Sequence, residues 1–150
     1  MEKHTTKNPK ETQKLGEELA RNILSSIPKK SAVVLGLQGD LGSGKTTFLQ
    51  GFAKGLGIKE NVLSPTFILM KRFELRSKPS KNFYHFDCYR LNESEEILHL
   101  GFEEIIADSK NIVAIEWPEK ISNLLPKGML ALEFKHVDET TRELTIIKWQ

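Results

Sequence analysis

The eight residues 39–46 constrain this chain more than any other part of its sequence. They read GDLGSGKT and fit the pattern G-x-x-x-x-G-K-[ST] at every position. The apolar, β-branched run 31–37 before them is typical of a buried strand, and residues 45–56 predict a helix closed by Gly57. Glycines between a strand and a helix let backbone N–H groups turn inward around a phosphate, at the positive end of the helix. The segment therefore predicts a phosphate-binding loop (P-loop).

Lys45 and Thr46 carry the chemistry expected of such a loop. The lysine neutralises the β- and γ-phosphates of a nucleotide, and the threonine hydroxyl is a magnesium ligand. The predicted nucleotide-binding residues in this part of the chain are Asp40, Leu41, Gly42, Ser43, Gly44, Lys45, Thr46 and Thr47. ATP is favoured over GTP, because no guanine-reading [NT]-K-x-D sequence follows Lys45. Dehydrogenase, zinc protease and esterase functions are disfavoured, because G-x-G-x-x-G, H-E-x-x-H and G-x-S-x-G are absent.

Two acids are candidates for holding the metal and positioning water. Glu116 ends the apolar run 112–115, and Asp87 ends the strand-like run 83–86. Since the carboxyl ends of parallel strands meet at one edge of a sheet, both acids are predicted beside the magnesium, directly or through water. Together with Lys45 they are the predicted catalytic residues.

Thr66 is a further candidate metal ligand. Ser64 and Thr66 flank Pro65 and follow Lys45 by about twenty residues, where P-loop switch proteins place a loop hydroxyl against magnesium. From spacing alone, it is equally consistent that each of these two hydroxyls merely starts a strand and binds no metal. Next to Asp87, His85 and Tyr89 are more typical of packed side chains in a half-buried strand than of catalysts.

The fold class follows from helices that alternate with buried strands. This alternation predicts one three-layer α/β domain over residues 1–150, with a P-loop NTPase fold and a largely parallel central sheet. Antiparallel strands are expected in the C-terminal part, and residues 1–10 are expected to form a flexible polar tail. The other predicted elements are a helix capped by Thr12 and ending at Pro28, strands 66–70, 83–86, 111–115, 129–137 and 144–149, a hairpin turn at 77–80, a helical stretch 93–106 interrupted at Gly101, and a helix from Pro118 to Leu125.

Membrane and disulfide chemistry are disfavoured by the sequence. Apolar runs such as 112–115 are far shorter than the roughly 18 residues that cross a bilayer, and residues 1–4 do not begin a signal peptide. The single cysteine, Cys88, has no partner within the chain. We therefore expect a cytoplasmic chain that makes no membrane contact.

Five segments together resemble one known family. GDLGSGKTTF (39–48), SPTF (64–67), HFDCYRL (85–91), GFEE (101–104) and IEWPEK (115–120) occur in the order seen in the bacterial TsaE family, formerly called YjeE. The resemblance covers nearly the whole chain and is far more specific than the P-loop alone. Cys88 departs from it, since leucine is usual there, but its side chain is expected to point away from the metal.

The resemblance implies a small magnesium-dependent ATPase of tRNA threonylcarbamoyladenosine (t6A) biosynthesis. It implies two partner proteins, the TsaD transferase and the TsaB scaffold, which place threonylcarbamoyl on the adenosine beside the anticodon of tRNAs that read codons beginning with A. It further implies that ATP hydrolysis, weak in the isolated chain, resets the complex between rounds. The resemblance also implies that Trp117 lies beside the nucleotide, and that Thr12 and Arg142 lie around its base and sugar.

Two other functions remain open at this point. A small-molecule kinase would use the same loop with an arginine over the transferred phosphoryl group, for which Arg76 is the convenient candidate. A nucleotide-gated binding module would select partners without needing hydrolysis. The basic segment 71–81, with five cations against Glu74, either contacts tRNA or an acidic partner or is a solvated loop, and tRNA is otherwise reached only indirectly.

Overall fold

A computed structural model describes residues 1–26, 29–60, 69–76 and 78–148. Its elements, in chain order, are β1 (Glu2–Thr6), α1 (Pro9–Ser25), β2 (Val33–Gln38), α2 (Lys45–Gly55), β3 (Met70–Glu74), β4 (Asn82–Asp87), α3 (Glu95–Leu98), α4 (Phe102–Ala107), β5 (Asn111–Glu116), a 3-10 helix (Pro118–Leu124), β6 (Leu130–His136) and β7 (Arg142–Lys148). Within this described part of the chain, no helix is long and apolar enough to cross a membrane.

The strands form one seven-stranded sheet in the order β1-β7-β6-β2-β5-β4-β3. The centre is parallel, because β6, β2, β5 and β4 run in the same direction. The edges are antiparallel: β7 pairs with β6, β1 with β7, and β3 with β4. The predictions of a parallel centre and of antiparallel strands near the C-terminus are therefore confirmed, and the antiparallel pairing of β3 with β4 agrees with the hairpin predicted between them. The antiparallel strand β1 was not predicted.

Alternation along the central strands divides the core into two layers. Ile112 and Ala114 of β5 face a cluster that includes Phe48 and Phe52 of α2. Val113 and Ile115 face the opposite cluster, with α3, α4 and the 3-10 helix. Side chains of a strand alternate between the two faces of a sheet, so burial of both faces requires a continuously apolar run. The three-layer prediction is thereby confirmed.

Helices α1 and α2 pack so closely that glycine is required between them. A Cβ added to Gly51 would lie 1.9 Å from the carbonyl oxygen of Gln13, and one on Gly16 would lie 2.3 Å from that of Phe48. Ala20, fully buried in α1, continues the same contact. This contact fixes α1 against the helix that begins at Lys45.

The N-terminal residues do not form the predicted tail. Residues 2–6 form β1, which pairs with β7. Most of its side chains are exposed, so the strand depends on backbone hydrogen bonds to an edge that lies far away in the sequence. Helix α1 also begins earlier than predicted, because Asn8 rather than Thr12 is its cap and accepts a hydrogen bond from the backbone N–H of Glu11 at 2.9 Å.

Other predicted boundaries shift by a few residues. Helix α1 ends at Ser25, and the predicted stop at Pro28 lies outside the described residues. Of the strand predicted at 66–70, residues 66–68 lie outside the described residues, and β3 runs from Met70 to Glu74, into the basic segment. The helical break at Gly101 is confirmed, where φ is +82°.

We expect Gly51→Ala to destabilise the fold by about 1–3 kcal/mol, because the added methyl group clashes with the backbone of α1. At an exposed helix position, replacing Gly with Ala would stabilise the fold by about 1 kcal/mol. A lower free energy of unfolding for Gly51→Ala would therefore indicate the close contact. Urea unfolding measures the effect, with Lys10→Ala on the exposed side of α1 as a control. Equal or higher stability of Gly51→Ala would show that the helices are not in contact there.

We expect Cys88 to be unreactive in the native protein. Its side chain is 1% exposed and lies in the core layer opposite α2. Burial raises the pKa of the thiol to about 12, and only the thiolate reacts readily. Iodoacetamide should therefore modify Cys88 in urea but not in buffer, as mass spectrometry would detect; rapid native modification would contradict this burial.

Candidate functional site

A cavity of about 260 Å³ lies at the carboxyl ends of β2, β4 and β5. The glycine-rich loop, residues 39–44, forms one side of it, and the ends of β4 and β5 form another. The N-terminus of α1 and the turn before β7 form the remaining wall. Its lining residues are Asn8, Pro9, Thr12, Leu41, Gly42, Gly44, Lys45, Thr46, Thr47, Asp87, Tyr89, Glu116, Trp117, Glu139, Thr140 and Arg142.

The glycine-rich loop needs backbone conformations that other residues rarely adopt. Gly42 has φ +81° and Gly44 has φ +105°. A Cβ on Gly42 would meet no atom within 4 Å, so the requirement there is conformational rather than steric. The loop leads directly into α2, whose first N–H groups have no partners within the helix and carry partial positive charge. This side of the cavity can therefore hold an anion.

Lys45 is buried at the first position of α2, with 5% of its surface exposed. Its ammonium donates a hydrogen bond to the carbonyl of Gly39 and lies 3.8 Å from the centre of the Trp117 ring. Burial lowers the pKa of Lys45, while nearby carboxylates, Glu116 first among them, act in the opposite direction. The charge is thus held at the cavity by partners that a phosphate could replace.

Glu116 ends β5 as a buried carboxylate, 3% exposed, beside a buried imidazole. Nε2 of His85 lies 2.8 Å from its Oε2. With Glu116 ionised, Nε2 donates this hydrogen bond, because a carboxylate only accepts. Nδ1 of His85 is buried and has no hydrogen-bond partner among the described residues. The imidazole therefore fixes the orientation of the Glu116 carboxylate.

Asp87 lies next to Glu116 because the two residues pair in the β4–β5 register. Its Oδ1 accepts a hydrogen bond from the backbone N–H of Tyr89 at 3.0 Å. Burial raises the pKa of Asp87, and the nearby charge of Glu116 raises it further, although that backbone bond lowers it. Two neighbouring carboxylates that repel each other favour a cation between them.

Trp117 holds an unusual backbone conformation beside these acids. Its φ is +58°, in the left-handed region, which is rare for a bulky residue and is typical of functional sites. The Trp117 ring packs against Tyr89, with 4.9 Å between ring centres, and covers Lys45. The turn thereby directs an aromatic ring into the cavity immediately after Glu116.

Thr12 and Arg142 cover the glycine-rich loop from the other side. A Cβ on Gly44 would lie 3.5 Å from Cγ of Arg142 and 3.8 Å from Cγ2 of Thr12. The Thr12 hydroxyl is 2.7 Å from that of Thr6, and the guanidinium donates to the Asp138 carbonyl at 2.7 Å. Strand β1 and the turn before β7 therefore position this wall.

The structure brings most of the predicted site residues together. Those that line the cavity are Thr12, Leu41, Gly42, Gly44, Lys45, Thr46, Thr47, Asp87, Glu116, Trp117 and Arg142. Asp40 is exposed outside the lining, and Ser43 is buried beneath the loop, where its hydroxyl has no described hydrogen-bond partner. Thr66 lies outside the described residues.

Five lining residues were not predicted: Asn8, Pro9, Tyr89, Glu139 and Thr140. Asn8 and Pro9 had a local signal, because an Asn cap followed by Pro and, at Glu11, a carboxylate marks a helix start. Glu139 and Thr140 had none, since only the pairing of β6 with β7 brings their turn to the cavity.

Oxygen donors at the cavity suit a hard cation. The Thr46 hydroxyl and the carboxylates of Asp87 and Glu116 all line it. In the described ranges no group of three His, Cys, Asp or Glu side chains is placed to hold a metal ion by itself. Magnesium commonly binds to one or two carboxylates together with phosphate oxygens. The site can therefore hold magnesium together with a bound phosphate.

Comparison with known proteins shows the family to which this chain belongs. The family model described as "Threonylcarbamoyl adenosine biosynthesis protein TsaE" matches residues 6–144. The protein from Rickettsia typhi named tRNA threonylcarbamoyladenosine biosynthesis protein TsaE is 38% identical, over 97% of this chain and 94% of its own. The protein of the same name from Bacillus subtilis is 37% identical, over 95% and 83%.

A solved structure has the same architecture. The crystal structure of Bacillus subtilis YdiB superposes with a TM-score of 0.77 at 32% identity, covering 99% of this chain and 86% of that one. The residues matched by the family model include the glycine-rich loop, Asp87 and Glu116. The chain belongs to the TsaE family of tRNA threonylcarbamoyladenosine biosynthesis.

Proposed function

We propose that this chain is a magnesium-dependent ATPase with a P-loop fold, and that hydrolysis turns over a TsaD–TsaB complex during t6A modification of tRNA. The observation that carries the proposal is one cavity in which the glycine-rich loop and Lys45 face the carboxylates of Asp87 and Glu116. Phosphoryl transfer needs mainly positioning and charge stabilisation, and these groups supply both.

ATP and magnesium fit the residues present. The open, left-handed glycines and the start of α2 offer N–H donors to phosphates, and Lys45 adds a buried positive charge. Thr46, Asp87 and Glu116 supply oxygen ligands, and Thr66 remains a candidate from the sequence. Magnesium held by these residues would supply positive charge to offset the negative charge that develops on the phosphate oxygens.

Lys45 exchanges partners when the nucleotide binds. Its hydrogen bond to the Gly39 carbonyl and its contact with the Trp117 ring hold the ammonium at the wall of the cavity. A phosphate oxygen is a stronger acceptor for an ammonium than a neutral carbonyl, because the bond is charge-assisted. The lysine therefore clamps the phosphates, and the ring of Trp117 lines the cavity next to it.

Glu116 orients the attacking water. His85 occupies one carboxylate oxygen and fixes the rotation of the group, so its remaining lone pairs point in constant directions. Removing such a supporting partner typically costs about 10–100-fold in activity or metal affinity. Asp87, opposite in the strand register, completes the acidic pair around the metal. Thr12 and Arg142 then hold the base and sugar on the other wall.

Arg76, the arginine that a small-molecule kinase would need over the transferred phosphoryl group, does not lie near the cavity. Arg76 follows Glu74, which pairs with Asn82 at the beginning of β4, whereas Asp87 lies at the end of that strand. The five residue-to-residue steps from Asn82 to Asp87 span roughly 17 Å, so Arg76 lies at the edge of the sheet opposite the cavity. The geometry therefore favours hydrolysis over transfer to a small molecule.

We expect Lys45→Ala to weaken ATP binding by roughly 10–100-fold, because a charge-assisted bond of about 1.5–3 kcal/mol is removed. Titration of the protein with a fluorescent ATP analogue measures the affinity. Lys54→Ala, a change to an exposed lysine later in α2, serves as the control and should bind like the wild type. If Lys45→Ala bound the ATP analogue as tightly as the wild type, the loop would not be the phosphate-binding site.

We expect Glu116→Ala to bind ATP but to lose hydrolysis by roughly 10²–10⁴-fold, because the water is no longer oriented. Phosphate release should be measured for the chain alone and with TsaD and TsaB added. The control Glu103→Ala removes an exposed carboxylate from α4 and should not change the rate.

The partners separate the remaining alternatives. Stimulation by TsaD and TsaB that Glu116→Ala abolishes supports the partner-coupled ATPase. A binding module instead predicts that Glu116→Gln leaves partner binding and t6A formation intact while Lys45→Ala abolishes both. Consumption of ATP that requires an added phosphoryl acceptor would instead support the small-molecule kinase.

A further inference from the structure

The amino ends of the parallel strands carry a dense group of cations, opposite the nucleotide cavity. Each of these side chains is exposed and lies just before β2, β4, β5 or β6, at the end of β7, or just after β3. We call this group the basic edge. It consists of Lys29, Lys30, Arg76, Lys78, Lys81, Lys110, Lys127 and Lys148.

Register and hydrogen bonds show that these loops adjoin one another. Lys148 pairs with Leu130 at the start of β6. The backbone N–H of Lys81 donates to the carbonyl of Lys110 at 2.7 Å. Four of the lysines, 29, 30, 127 and 148, line one groove of about 430 Å³. From β7 to β3 the edge crosses five strand spacings, or roughly 24 Å.

The cations of the basic edge are not neutralised by the protein. In the described part of the chain none of the eight forms an ion pair. The nearby acids are Glu2, Glu60, Glu74 and Asp108. Glu2 contacts His4, Glu74 contacts Arg72, and Asp108 accepts a hydrogen bond from the backbone N–H of Lys110. The whole chain has a net charge of only +2, so the rest of the molecule is net negative.

This composition fits a nucleic acid better than a protein. Protein interfaces are depleted in lysine and enriched in aromatic residues and methionine. Apart from the terminal Met1, no large apolar side chain among the described residues is exposed at the basic edge: Leu41, Tyr89 and Val137 lie at the opposite ends of the strands, and Leu100 lies between α3 and α4. Among the described residues of the basic edge, no exposed aromatic ring offers a platform for stacking unpaired bases.

We infer that the basic edge binds the phosphate backbone of folded RNA without reading its sequence. Lysines spread along a row neutralise successive phosphates, and double-stranded RNA is recognised mainly through its shape and backbone. The choice of tRNA as this RNA rests on the proposed function, whereas the placement of the charges does not. The chain would then hold RNA and nucleotide at opposite edges of one sheet.

The test compares two variants with the same change in net charge. The edge variant carries Lys30→Glu, Lys81→Glu, Lys110→Glu and Lys127→Glu, one from the loop before each parallel strand. The control variant carries Lys10→Glu, Lys14→Glu, Lys120→Glu and Lys135→Glu, which are exposed lysines outside the basic edge and the cavity lining. Binding to an unmodified tRNA transcript is measured over a range of salt concentrations.

We expect the edge variant to bind tRNA at least about tenfold more weakly, with a salt slope reduced by about one for each phosphate that is no longer neutralised. The control variant should keep the wild-type slope and most of the affinity. No binding by the wild type, equal weakening in both variants, or no weakening in either would overturn the inference. It would also fail if the edge variant bound tRNA normally and lost only its stimulation by TsaD and TsaB, since the edge would then contact protein.

Hydrolysis of ATP without RNA separates this inference from the proposed function. Both variants should keep the basal rate, because none of the changed residues lines the cavity. A wild-type chain that binds tRNA through the basic edge but does not hydrolyse ATP would refute the ATPase and leave the RNA surface standing. Hydrolysis without tRNA binding would do the reverse.

Discussion

The parallel pairing of β2, β5 and β4 is the constraint on which the candidate site depends. It aligns Leu37 with Glu116 and Glu116 with Asp87, so two carboxylates end beside the strand that leads into the glycine-rich loop. A slip of one residue would turn His85, Asp87 or Glu116 to the opposite face, because strand side chains alternate. The buried side chains on opposite faces of β5 prevent such a slip. Core packing therefore places the acids.

The sequence predicts elements whose signals are local and misses those that depend on distant partners. Strands β2 and β5 are apolar throughout, and α2 is bounded by glycines, so their approximate limits are readable. Strand β1 is mostly exposed and polar, and nothing within residues 1–10 shows that β7 offers it an edge. The start of α1 is a different case, since Asn8 and Pro9 carried a capping signal that Thr12 obscured.

The same distinction applies to the candidate site. Lys45, Thr46, Asp87 and Glu116 follow from a spaced motif and from strand ends, both of which are local properties. The bond between His85 and Glu116 requires the strand register, which a pattern of one chain segment does not contain. From the sequence alone, His85 could equally well be a packed side chain without a polar role. Only the 2.8 Å distance from its Nε2 to Oε2 of Glu116 shows that it supports the carboxylate.

The rigidity of the strands limits how the two edges of the sheet can communicate. Strands β4 and β5 each begin beside a lysine of the basic edge and end at an acid of the cavity, roughly 17 Å away. Coupling between sites needs an element with two arrangements, and strands packed on both faces offer only one. In the isolated chain the edges should therefore act independently. Under the proposed function, a partner that touches the loops at both edges would supply the missing element.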